Sequence, residues 1–107
     1  MNSLNSILIE GALLNKPEVD VYATGEVIFQ IASNRFYRAD DEYRKEVSLF
    51  DIRVISNQLA ETCFNHLSKE QGVRVVGRLR NVDGTVEIVA EHVEIKPVLR
   101  KVEEVTA

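Results

Sequence analysis

The chain has 107 residues, 45% of them hydrophobic, and a formal net charge of −4. That is one domain's worth of chain with a small core, and its acidic balance argues against a generally basic nucleic-acid binder while leaving room for a local basic surface. A single cysteine, Cys63, rules out an internal disulfide and fits a reducing compartment; no apolar run nears the about 18 residues of a membrane span, and the opening MNSLNSILIEG has no charged leader, so a soluble cytoplasmic protein is expected.

Residues 6–14 (SILIEGALL) read as the first strand, with Gly11 inside it marking a bulge or sharp coil where a sheet must curve. Asn15, Lys16 and Pro17 interrupt it, and residues 18–22 (EVDVY) resume with alternating character. Ala23, Thr24 and Gly25 turn the chain into a long second strand, residues 25–38 (GEVIFQIASNRFYR). Residues 39–42 (ADDE) are polar and acidic and are expected to be a loop. Residues 43–55 (YRKEVSLFDIRVI) form the third strand, so strands two and three make a long hairpin.

The period changes at residues 56–71. Leu59, Cys63 and Leu67 recur at helical spacing beside Ala60 and Phe64, Ser56 is placed to cap the start, and Gly72 to end the helix. Residues 73–79 (VRVVGRL) are the fourth strand, again with an interior glycine, Gly77. Asn81 to Gly84 contain an Asp-Gly turn signal, and residues 85–95 (TVEIVAEHVEI) are the fifth strand. Pro97 ends it, giving a domain over residues 1–97 and a short polar tail over 98–107. Three strands, one helix and two strands, with glycines inside strands one and four, is the chain order of an all-β, five-stranded Greek-key barrel of the oligonucleotide-binding type.

The far end of strand two carries the chemistry. Arg35, Phe36, Tyr37 and Arg38 interleave rings with guanidinium groups, which suits stacking of bases and contact with phosphates. The same pattern also describes a strand that leaves the core and becomes wet. Arg74, Arg78 and Arg80 have one parity in strand four and share a face, either solvated or in contact with a polyanion. His66 and His92 have no partners at metal-ligand spacing, Cys63 reads as a small core residue, and no glycine-rich phosphate loop or buried carboxylate pair is present. No metal, cofactor or catalytic activity is therefore expected.

Over about residues 2–96 the chain resembles the bacterial single-stranded DNA-binding protein family. The matching segments, in order, are SILIEG, Pro17-Glu18-Val19, Thr24-Gly25, ASNRFYR, QLAETC, GVRVVGRLR and VAEHVEI. The resemblance implies a barrel that wraps single-stranded DNA, acts in replication, recombination or repair, and assembles as a dimer or tetramer, with replication or repair proteins as further partners. It places Phe36 and Phe50 on the family's aromatic positions, with Tyr37 beside the first. It assigns the phosphate contacts to Arg35, Arg38, Arg44 and Lys45 on the hairpin and to Arg74, Arg78 and Arg80 on strand four. The doubly apolar first strand would make a poor free edge, and a second copy is expected to pair with it.

The chain departs from the family where Ser56 replaces a usual aromatic and where only residues 80–84 join strands four and five. Trp is absent, and Asn15 and Asp20 stand at positions often basic. Loss of two stacking platforms would forfeit about 2–6 kcal/mol per barrel. An acidic hairpin tip adds local repulsion. These departures motivate a rival reading, a divergent paralogue with weakened DNA binding that works as a protein-interaction or primosome-type adaptor.

Overall fold

The computed structural model describes residues 1–96. In chain order the elements are β1 (Ile7–Leu13), β2 (Glu18–Val19), β3 (Val27–Ala39), β4 (Glu42–Val54), α1 (Asn57–His66), β5 (Gly72–Val82) and β6 (Thr85–Ile95). Hydrogen bonding runs β1-β5-β6-β4-β3-β2, and a further β1–β3 pairing through Ala12 and Leu13 closes the ring. Strands β4 and β6 run parallel, Ile52–Val54 against Ile88–Ala90. The ring is the expected five-stranded barrel. β2 is the first strand resumed after Pro17, paired with β3 at Val27 and Ile28.

The core follows from period two. Val27, Phe29 and Ile31 of β3 face Ile52 and Val54 of β4, Val73 and Val75 of β5, and Ile88 and Ala90 of β6. The helix closes one end of the cylinder with Ala60 and Cys63. Two glycines permit the tight coil. A Cβ on Gly11 would stand 2.6 Å from the carbonyl oxygen of Ala32, where β1 passes from β5 to β3. A Cβ on Gly77 would overlap the carbonyl oxygen of Val89, beside the register shift between β5 and β6.

Several expectations need correction. The helix ends at His66 rather than at residue 71, because Leu67 turns extended (φ −90, ψ 145) while still burying its side chain against the core. Its N–H donates to the Cys63 carbonyl at 3.0 Å, and Gly72 opens β5 instead of ending the helix. Ser56 holds the N-cap position without a side-chain capping bond. The loop expected at residues 39–42 shrinks to Asp40 and Asp41, at φ 51 and 65, a two-residue turn whose twist matches the strands it joins. Strand four likewise runs on past residue 79 to Val82, leaving Asp83 and Gly84 (φ 51 and 82) as the turn. On a ribbon wet on both faces nothing enforces apolar alternation, so polarity reads as a loop. Pro97 and the tail over 98–107 lie outside the described residues.

Candidate nucleic-acid interface

The β3–β4 hairpin is unbroken from Val27↔Val54 to Ala39↔Glu42, so side-chain parity holds along its whole length. One face continues the core row Val27, Phe29, Ile31 into Ser33, Arg35 and Tyr37, opposite Arg44, Glu46, Ser48 and Phe50. We call this the inner face. The outer face carries Gln30, Ala32, Asn34, Phe36 and Arg38 opposite Asp51, Leu49, Val47, Lys45 and Tyr43. From Asn34 to the turn both faces are largely solvated, and the hairpin stands out from the barrel as an arm.

Rings and cations pair on the arm. On the outer face Lys45 Nζ lies 6.0 Å from the Phe36 ring centroid and the Arg38 guanidinium 5.6 Å from that of Tyr43. Phe36 and Tyr43 are 70% and 82% exposed, with Val47 and Leu49 exposed on the same face. On the inner face the Arg35 guanidinium sits 4.9 Å from the Tyr37 ring. Each interaction is worth about 0.5–1 kcal/mol in water and holds a guanidinium or ammonium beside a flat surface. The ion pairs Arg38–Asp41 at 3.4 Å and Arg44–Glu42 at 3.7 Å are solvent-exposed and readily exchanged.

The candidate residues therefore do not form one platform. Phe36 and Tyr37 take opposite faces. Phe50 is half-buried opposite Ile31 and packs on the core. Arg74, Arg78 and Arg80 share a face of β5 as expected, yet two of them are tied in place. Arg74 Nε donates to Glu10 Oε2 at 2.7 Å and its guanidinium lies 3.8 Å from Glu94. Arg80 Nε donates to Glu87 Oε1 at 3.1 Å. Arg78 has no ion pair among the described residues. Tyr43 escaped the sequence reading. A two-residue turn at Asp40–Asp41 sets it opposite Arg38, on the face of Phe36, and treating that stretch as a loop hid the register.

At the root of the outer face lies a second group that spacing does not reveal. Arg53 Nη1 donates to Asp20 Oδ2 at 2.6 Å and to Glu26 Oε1 at 3.0 Å, and Nε to Glu87 at 3.1 Å. The hydrogen bond from Arg53, with a second from the Tyr22 N–H, holds the Asp20 carboxyl below its usual range. Burial alone would raise Glu87, but Arg80 and Arg53 outweigh it and hold the group low. Asp20 and Glu26 bracket the loop between β2 and β3, so one guanidinium ties that loop to β4 and β6. Beside it opens a cavity of about 360 Å³ lined by Lys16, Glu18, Gln30, Asp51, Arg53 and Glu87.

Among the described residues no three His, Cys, Asp or Glu side chains converge at metal-binding distance, and no helix is long and apolar enough to cross a membrane. Burial pushes the Cys63 thiol up to about 11, away from nucleophile chemistry. What the surface offers is rings and cations on an arm.

Comparison with known proteins places these features in context. The model of the single-strand binding protein family matches residues 4–96. Single-stranded DNA-binding protein 2 of Chlorobaculum tepidum is 33% identical over 100 residues, covering 85% of this chain and 67% of that protein. A Plasmodium falciparum SSB solved in complex with ssDNA superposes with a TM-score of 0.77 at 21% identity, over 91% of this chain and 98% of that one. The small single-stranded DNA-binding protein of Streptomyces coelicolor gives 0.72 at 24% identity, over 90% and 94%. A deletion mutant of the Thermus aquaticus protein gives 0.74 at 22% identity, over 90% of this chain and 52% of that one. The structural likenesses establish the fold.

Proposed function

The chain belongs to the single-strand binding protein family, and from that premise we propose that it binds single-stranded DNA on the β3–β4 arm. The observation that carries the reading is the outer-face pairing of two exposed rings with two cations, Phe36 with Lys45 and Tyr43 with Arg38. Phe36 and Tyr43 are diagonal neighbours across the hairpin, close enough to take neighbouring bases of one extended strand. Each stacked base contributes about 1–3 kcal/mol, and every base has a π face, so sequence preference is weak. Arg35, Arg38, Arg44 and Lys45 neutralise phosphates and release counterions, with Tyr37 as a further ring on the inner face. Phe50 holds the arm's root against the core, Arg78 is the strand-four cation placed to add a contact, and Arg74 and Arg80 stay with their carboxylates.

The protein makes and breaks no bond. Its role is to cover single strands exposed in replication, recombination or repair in the cytoplasm. A second copy joins along β1, whose edge opposite β5 is unpaired from Ile7 to Gly11 among the described residues and whose Leu8 is 66% exposed. The rival reading as a protein-interaction module draws on exposed Val47 and Leu49 beside the rings. One titration separates them. A fluorescent 35-mer of dT at low salt is expected to bind saturably and to weaken steeply with added salt. No binding at micromolar protein overturns the DNA reading in favour of the adaptor.

A further inference from the structure

From tip to root the outer face of β4 carries Tyr43, Lys45, Val47, Leu49, Asp51 and Arg53, and its character inverts on the way. The tip half is rings, cations and apolar side chains. At the root Asp51 accepts from the Gln30 side-chain amide at 3.1 Å, and Arg53 meets three carboxylates. In barrels of this architecture the corresponding face, between the loop after the first barrel strand and the turn of the last hairpin, is where oligonucleotides lie. Here that loop supplies Asp20 and Glu26, and that hairpin supplies Glu87. All three converge on Arg53.

A phosphate entering this groove finds Arg53 already neutralised. Its side chain is 18% exposed, and those of Asp20 and Glu87 are 15% and 14%. Taking the guanidinium away from them would leave carboxylates unpaired in a partly desolvated site, on a cavity wall where Lys16 is outnumbered by Glu18 and Asp51. Arg80 cannot substitute, because Glu87 holds it as well. Electrostatics at the root thus opposes a polyanion while the arm attracts one.

We infer that the Arg53 network closes the barrel's central groove to DNA and confines the single strand to the arm. The inference rests on the proposed function and adds its path: each barrel contacts a short run of nucleotides around Phe36 and Tyr43, and the strand turns away where Asp51 begins.

The test follows ¹⁵N-labelled full-length protein titrated with dT15, with fluorescence anisotropy of the same mixture in parallel. Backbone amides of residues 34–47 are expected to shift. The Arg53 Nε–H and the Gln30 side-chain amide are expected to stay at their free positions. If anisotropy and spectrum both stay unchanged, the DNA-binding reading itself fails. If dT15 binds and the Arg53 or Gln30 signals move as far as those of the arm, the confinement is overturned and DNA binding stands. The double variant Asp20→Asn with Glu26→Gln supplies an independent arm once its melting curve shows it folded. Removing two of the three carboxylates that hold Arg53 lowers the negative charge at the root, and is expected to tighten dT15 about tenfold at low salt and to steepen the salt dependence by about one phosphate's worth. Unchanged affinity and slope would overturn the inference.

Discussion

Phe36 and Tyr37 are neighbours in sequence and leave β3 on opposite faces, Phe36 beside Lys45 and Tyr37 beside Arg35. The period of an extended strand forbids them from acting as one double-width platform. What looks like a cluster of rings in the sequence is one ring for each side of a two-stranded arm. The outer side gains its second ring from β4, through the pairing of Arg38 with Tyr43.

Truncating the outer rings therefore should hurt binding more than truncating the ring at the arm's root. Phe36→Ala and Tyr43→Ala are each expected to weaken dT binding by about 1–3 kcal/mol, roughly 5- to 150-fold, with little change in melting temperature. Phe50→Ala is expected to do the reverse, lowering stability by about 2–3 kcal/mol because the half-buried ring packs on the core. Anisotropy titrations with matched denaturant melts separate the two effects. An affinity loss confined to Phe50→Ala would move the platform to the root.

Cations on the arm and on β5 should differ in the same way. Lys45→Gln removes a phosphate contact and is expected to flatten the slope of log affinity against log salt by about 0.7. Arg74→Gln is expected to leave that slope unchanged, since Glu10 and Glu94 already occupy the guanidinium. Equal effects from both would put DNA across β5.

The sequence carries the barrel clearly and the site only partly. β6 shows a short apolar run, Ile88 to Ala90, that is buried at its middle, and the glycines at 11 and 77 announce curvature because nothing larger fits there. Leu67 misleads because it continues the helical period yet is buried from an extended backbone. The Arg53 network is invisible in sequence: its carboxylates come from 33, 27 and 34 residues away, and only barrel closure assembles them.

That network sets the acid limb of stability. Asp20 and Glu87 are held below their ordinary values by Arg53 and Arg80, so their contribution is complete above the unfolded carboxylate range. It is lost as pH falls through the depressed folded values. Urea midpoints are expected to be flat between about pH 5 and 8 and to drop below about pH 4. Arg53→Gln should lower the plateau and shrink the drop; an acid limb of undiminished size would assign it to other carboxylates.

On the alkaline side the relevant group is Cys63. Its thiol titrates near 9.0 when unperturbed and is pushed up to about 11 by burial against the helix and barrel. A raised folded value means that the stability it contributes is intact below pH 9 and lost as pH climbs toward 11. Thermal melts from pH 8 to 11 are expected to decline in the wild type and less steeply in Cys63→Ala, even if that variant starts lower. Parallel declines would show that the thiol stays protonated or is already accessible.

The turn at the tip of the arm offers a gain in stability and affinity together. Asp40 and Asp41 both sit at positive φ, 51 and 65, where Asn-Gly is the favoured pair. Asp40→Asn with Asp41→Gly is expected to stabilise the hairpin by about 0.5–1 kcal/mol. The lost Arg38–Asp41 pair is 60% and 96% exposed at 3.4 Å, so little stability goes with it. Two negative charges leave the tip and Arg38 is freed beside Tyr43, so dT affinity should rise at low salt and converge on wild type as salt screens the difference. A rise that persists unchanged at high salt would mean that the turn acts by ordering the arm rather than by charge.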